Sequence, residues 1–183
     1  MPEQVDEELI RQSLEGNREA FGRLVDRYQK TVYNVALRMV HDEADAEDVA
    51  QLAFVRVFQK LRIFDPKYKF FSWLYRITVN EALNFLKQKK QFEPFDEESP
   101  GEPADREGVE EEKEELERKV QDGLMELKVD HRAVVVLKHL QGLSYAEIAQ
   151  ILEIPEKTVK SRLFTARTVL KNILLNKGLG KHG

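Results

Sequence analysis

The residues best suited to chemistry are the polar ones between Lys157 and Lys171, KTVKSRLFTARTVLK. At about 100° per residue in a helix, Lys157, Lys160, Ser161, Phe164, Thr165, Thr168 and Lys171 share an outward arc, with Arg162 and Arg167 on its flanks. Amines, hydroxyls and an aromatic ring can neutralise phosphates, hydrogen-bond base edges and meet a thymine methyl. A solvated helix face would also carry lysine and threonine. Phe164 favours nucleic acid, because an aromatic ring exposed among cations usually has a partner.

Such a reading face needs a support. Val159, Leu163, Ala166 and Leu170 fall at helical steps on the opposite arc, as a buried stripe would. Upstream, Ser144 followed three residues later by Glu147 is a capping box, and Ile148, Ala149 and Leu152 give that helix one apolar face. Glu153-Ile154-Pro155 separates the two, since proline lacks an N–H and fixes φ. Residues 143–170 therefore read as a helix-turn-helix whose second helix fits a major groove.

Two more stretches carry surface chemistry. Between residues 67 and 90, six basic residues (Lys67, Lys69, Arg76, Lys87, Lys89, Lys90) face one acid, Glu81, and Phe64, Tyr68, Phe70, Phe71, Trp73 and Tyr75 lie in or beside them. Cations interleaved with aromatics suit single-stranded nucleic acid, although the same rings also suit a core. The helix expected over residues 44–61 buries Ala46, Val49, Ala50, Ala53, Phe54, Val57 and Leu61. Its other arc shows Asp45, Asp48, Leu52, Val55, Arg56 and Gln59. Aliphatics on an acidic outer face suit a protein partner; scattered surface apolars are the alternative.

Catalysis and metal binding find little footing. The cluster from His41 to Asp48 lacks the ligand spacing of zinc or calcium, and Asp42 fits a helix N-cap better. His131 and His139 lie eight apart without a third ligand. There is no cysteine, no plausible Ser-His-Asp order and no phosphate-cradling glycine loop. The expectation is a non-enzymatic chain without cofactor or metal.

Charge divides the 183 residues. Residues 1–90 hold 15 basic and 14 acidic side chains, 91–118 hold 3 and 13, and 119–183 hold 11 and 6, so the net charge of −4 belongs to one segment. That segment also carries Pro94, Pro100 and Pro103 and few apolar residues, as a flexible linker does. Its Glu-rich end is expected to turn helical from about Val109. Helical patterns at residues 5–14, 18–40, 70–88 and 130–140 complete an all-α chain. Its two small helical domains occupy residues 1–91 and 118–178, joined by an acidic linker over 92–117 and followed by a frayed tail, 179–183. The N-terminus lacks a signal-peptide layout and no apolar run approaches a membrane span, so a cytoplasmic protein without membrane insertion is expected.

The ordered set DAEDVAQLAFVRVF (45–58), KFFSWLYRITVNEAL (69–83), an acidic linker and LSYAEIAQILEIPEKTVKSRLFTAR (143–167), with EGNREAFGRLVDRYQ (15–29) before it, closely resembles the extracytoplasmic-function sigma factors of bacterial RNA polymerase. The resemblance implies a sigma region 2 domain, a linker and a sigma region 4 domain. It implies core polymerase as a partner, with Asp45, Asp48, Gln51, Leu52, Phe54 and Val55 on the β′ clamp helices and the β flap as a further contact. Phe64, Lys67, Tyr68, Lys69, Trp73, Arg76 and Asn80 would meet the single-stranded minus-ten element. Lys157, Thr158, Lys160, Ser161, Arg162, Phe164, Thr165 and Arg167 would read the duplex minus-thirty-five element. A cognate anti-sigma factor would hold the protein inactive. The sequence departs from the common pattern: Leu52 replaces an acid, Lys128 a proline, Glu153 and Lys157 glycines, and Thr165 a basic residue. A stand-alone helix-turn-helix regulator that never engages polymerase is the alternative.

Overall fold

Short polar side chains fix where the helices begin. The computed structural model describes residues 2–92 and 109–179, and the regular elements among the described residues are all helical. Helix α1 (Pro2–Leu14) ends before Gly16, whose φ of 98° suits a residue without Cβ. Asn17 then caps α2 (Arg18–Val40), its Oδ1 accepting from the N–H groups of Glu19 and Ala20 at 3.0 and 3.2 Å. Asp42 caps α3 (Glu43–Lys60) through the N–H of Asp45 at 2.9 Å, the role expected of it. A 3₁₀ turn, Leu61–Ile63, leads into the loop before α4 (Phe70–Phe92).

After residue 109 come α5 (Val109–Met125) and α6 (Val129–Val135), the latter running into a π-helical turn, Val136–Leu140. Helices α7 (Tyr145–Leu152) and α8 (Glu156–Asn176) form the helix-turn-helix. Residues 109–117 of the acidic stretch are thus helical. Residues 93–108, most of the expected linker, and 180–183, most of the expected tail, lie outside the described residues.

Two apolar clusters hold the chain together. One lies within the first four helices and includes Leu9, Leu24, Val32, Ala53, Val57, Leu61, Phe70 and Leu74. The other crosses between the halves: Val35, Ala36, Met39, Val79 and Ala82 are continuous with Leu124, Leu127, Val134, Leu137, Ile148, Ile151, Val159 and Leu163. The domains therefore share a core, an arrangement that local periodicity does not address. On the far side, α5 crosses α8 closely at Gly123, where an added Cβ would sit 3.1 Å from a Leu170 methyl and 3.2 Å from one of Leu174.

Polar bonds tighten the same seam. Buried Gln121 donates from Nε2 to the Leu37 carbonyl at 3.0 Å and accepts from Arg38 at 2.9 Å. The Arg132 guanidinium, also buried, donates to the carbonyls of Leu124, Met125 and Leu127 at the end of α5, and to that of Met39 near the end of α2. Burial pushes its pKa down to about 10, so it stays protonated at neutral pH. Arg132→Met would leave those carbonyls short of donors and is expected to cost about 3 kcal/mol. Urea unfolding followed by Trp73 fluorescence measures it; an unchanged midpoint would remove Arg132 from this role.

Candidate nucleic-acid interface

Helix α8 is amphipathic in the sense expected. Val159, Leu163 and Ala166 are buried, while Lys157, Lys160, Ser161, Thr165, Arg167, Thr168 and Lys171 are exposed. Phe164 is 75% exposed. Two predicted readers are partly occupied from the side. Arg162 is half-buried and paired with Asp130 at 3.0 Å, and Arg167 donates to His139 Nε2 at 3.1 Å. Burial, then the charges of Arg167 and Lys138, hold His139 below its ordinary pKa, which suits a neutral acceptor nitrogen. Lys160 pairs with Glu156 and lies over the Tyr145 ring, 5.6 Å from its centroid. The Ser161 hydroxyl donates to the backbone carbonyl of half-buried Thr158 at 3.0 Å.

The predicted minus-ten residues gather around the loop Phe64–Lys69 and along α4, where Trp73 and Arg76 face α7. Phe64 packs edge-on against Phe70 (5.7 Å, 89°) and tilted against Trp73 (5.2 Å). Tyr68 is exposed, and the Lys67 N–H bonds Asp65 Oδ1 at 3.0 Å, shaping the loop. Trp73, Arg76 and exposed Asn80 follow at helical spacing on α4. Phe70 and Tyr75 are instead core; burial raises the Tyr75 phenol to about 12. A cavity of about 260 Å³ opens between the loop and α1, lined by Phe64, Lys67, Tyr68 and Lys69 on one side and by Asp6, Glu7 and Ile10 on the other. The part played by α1 carries no signal in its sequence. It is seated there because Tyr28 of α2 donates to buried Asp6 at 2.5 Å and Arg27 pairs with it at 3.3 Å.

On α3, Asp48, Leu52 and Val55 are exposed as predicted and Gln51 is exposed with them, while Phe54, expected on the buried arc, is half-buried beside a groove shared with Val25, Gln29, Lys30 and Tyr33 of α2. Asp45 is only partly exposed and is paired with Lys89 of α4 at 3.0 Å. Asp48 is therefore the more accessible acid of the pair. Phe58, 55% exposed, extends the bare aliphatic strip; it was legible from its three-residue step beyond Val55. A further apolar groove, about 470 Å³, lies between the π turn and the end of α8, lined by Val135, Leu170, Leu174 and Leu175 with Arg167, Lys171 and His139 at its rim.

The turn between α7 and α8 faces α4. Glu153 there adopts φ 53°, ψ 42°, a left-handed conformation that costs a residue with a Cβ about 1–2 kcal/mol. Its carboxylate pairs with Arg76, and Glu147 lies 3.8 Å from Lys69. Between these contacts Tyr68, Ser72 and Trp73 look across a cavity of about 310 Å³ at Gln150 and Ile151.

With this geometry in hand, the comparisons with known proteins define a class. Residues 24–92 match the Sigma-70 region 2 family and residues 117–170 the Sigma-70, region 4 family. Over 95% of its length the chain is 33% identical to the RNA polymerase sigma-H factor of Pseudomonas aeruginosa, 96% of which is covered. It is 35% identical to the ECF RNA polymerase sigma factor SigW of Bacillus subtilis, covering 90% of this chain and 94% of that one. The solved structure of CnrH in complex with the cytosolic domain of CnrY superposes with a TM-score of 0.71 at 30% identity, covering 93% and 97% of the two chains. The chain belongs to the extracytoplasmic-function (ECF) sigma factors of bacterial RNA polymerase. Among the described residues, no helix is long and apolar enough to cross a membrane.

Two measurements check the local assignments. Phe164→Ala should leave stability within about 0.5 kcal/mol of the parent, whereas Leu163→Ala, one residue earlier and buried, should cost about 2–5 kcal/mol in the same denaturant titration. Hydrogen bonds from the Ser144 backbone and hydroxyl, then charge from Lys69, hold Glu147 below its ordinary 4.5. A depressed carboxylate pKa gives stability that is complete above the unfolded value and lost as pH falls through the folded one. NMR titration should accordingly place Glu147 below a free glutamate.

Proposed function

We propose that this sigma factor binds core polymerase through the Asp48–Val55 face of α3, reads upstream duplex DNA with α8 and traps an unstacked minus-ten base beside the loop Phe64–Lys69. Domain limits of 1–91 and 118–178, with the linker over 92–117, go with this reading. Asp45, Asp48, Gln51, Leu52, Phe54 and Val55 serve the β′ clamp helices. Phe64, Lys67, Tyr68, Lys69, Trp73, Arg76 and Asn80 serve the melted strand. Lys157, Thr158, Lys160, Ser161, Arg162, Phe164, Thr165 and Arg167 serve the minus-thirty-five duplex. The apolar groove beside α8 suits the β flap.

The mechanism is non-enzymatic and cytoplasmic. An extruded base loses a few kcal/mol of stacking, which stacking on Tyr68 or Trp73 and phosphate contact with the lysines offset. Joining two DNA-reading domains on one chain raises the effective concentration of the second once the first is seated. An anti-sigma factor is the natural inhibitor. CnrH, with a comparable fold, was solved bound to the cytosolic domain of another protein.

One observation carries this reading: exposed Leu52 and Val55, continued by Phe58 whose ring packs edge-on against Phe21 at 5.0 Å, run beside Asp48 on a helix remote in sequence from the helix-turn-helix. A stand-alone regulator has no use for that strip. The test is binding of the purified chain to core RNA polymerase, beside Asp48→Arg. Reversal at a charged interface site should weaken binding roughly thirtyfold, about 2 kcal/mol. If neither protein bound core while both bound duplex DNA, the regulator alternative would replace this one.

A further inference from the structure

The contacts between α7 and α4 involve the minus-ten residues themselves. Lys69 and Arg76, two of the cations assigned to the melted strand, face Glu147 and Glu153 of the helix-turn-helix. Tyr68 and Trp73, the stacking rings between them, are faced by Gln150 and Ile151 across a narrow cavity. Each acid sits where its side chain matters locally. Glu147 completes the Ser144 capping box, and Glu153 holds a left-handed backbone that glycine would take without strain. The glutamate at this turn is compensated by a partner, and the partner belongs to the other domain.

We propose that the turn of the helix-turn-helix acts as a phosphate mimic, in which Glu147 and Glu153 occupy Lys69 and Arg76 in the free chain and yield them to DNA only when the domains part. This rests on the minus-ten assignment above. The shared apolar core brings α7 onto α4, and the two carboxylates then place negative charge where backbone phosphates would lie. Both ion pairs are partly exposed, so each is weak and open to competition. The recognition face of α8 stays outside this contact, with Phe164 bare. The free chain is therefore masked toward the single strand while its duplex-reading face remains presented.

The mask has a thermodynamic signature that loss of packing would not imitate. The masking ion pairs are themselves screened by salt, so rising salt loosens the mask while it weakens DNA binding, and the salt dependence of the masked chain is shallower. The test compares the full-length chain with an E147Q/E153G double variant. Glutamine still caps Ser144, and glycine relieves the left-handed turn, so the fold is kept. Fluorescence anisotropy with a labelled short single strand of mixed sequence, from about 50 to 200 mM salt, reads affinity and slope together.

The expected result is about fivefold tighter binding by the double variant at low salt. Its log–log salt slope should also be steeper than the parent's, because the parent's mask loosens as salt rises. Reconstituted with core polymerase, whose binding is expected to part the domains, the variant should transcribe like the parent. Equal affinity and equal slope in the free chains would overturn the mimic, as would a transcription defect confined to the variant. Arg76→Gln separates the two layers. If it weakens binding while E147Q/E153G changes nothing, the minus-ten assignment stands and the mimic falls. If no form binds the strand, the assignment fails and takes the mimic with it.

Discussion

A buried guanidinium is the point on which the arrangement turns. Arg132 sits where the ends of α2 and α5 converge, and it bonds carbonyls of their last turns, where helix geometry leaves acceptors spare. The negative ends of two helix dipoles meet there, so a cation is the natural filling. Since one of those helices comes from each half of the chain, the same side chain caps a helix and joins two domains. Leu124, Leu127, Met39 and Val134 close around it as one apolar layer. The orientation of α7 toward α4, and with it the contacts of Glu147 and Glu153, goes with that layer.

Much of the fold was legible in local spacing. The Ser144–Glu147 box, the break at Pro155 and the stripe Val159, Leu163, Ala166 define the helix-turn-helix unaided, because capping and periodicity act within a few residues. The outward arc of α8 and the bare Leu52 and Val55 of α3 were readable for the same reason. Partners chosen across space were not. Asp45 and Arg162 look available in sequence, yet Lys89 and Asp130 reach them from other helices. Tyr75 looks like one more ring in a basic, aromatic stretch, but α4 is covered on more than one side, and a helix with two buried faces gives no clean period. The seat of α1 beside the loop depends on the Tyr28–Asp6 bond, twenty-two residues apart in the chain.

The three surfaces differ in what shields them. The α3 strip and the α8 arc are open, whereas the face of α4 is covered by another part of the chain. Apolar contact supplies the cohesion of that cover and exposed ion pairs supply its register. Weak charges suit that role, because they select one docking geometry without making separation slow.

The ends of α4 and α5 also make the chain a measuring device. Phe92 closes one helix and Val109 opens the next, and seventeen residue steps can stretch to no more than about 60 Å. Once α7 leaves α4, this is the widest gap the two halves can straddle with both helices intact. A separation of Phe92 from Val109 beyond that bound would require unwinding a helix end. Shortening the stretch from Phe92 to Val109 would thus reduce the separation the two halves can reach, without altering any residue proposed above for DNA contact.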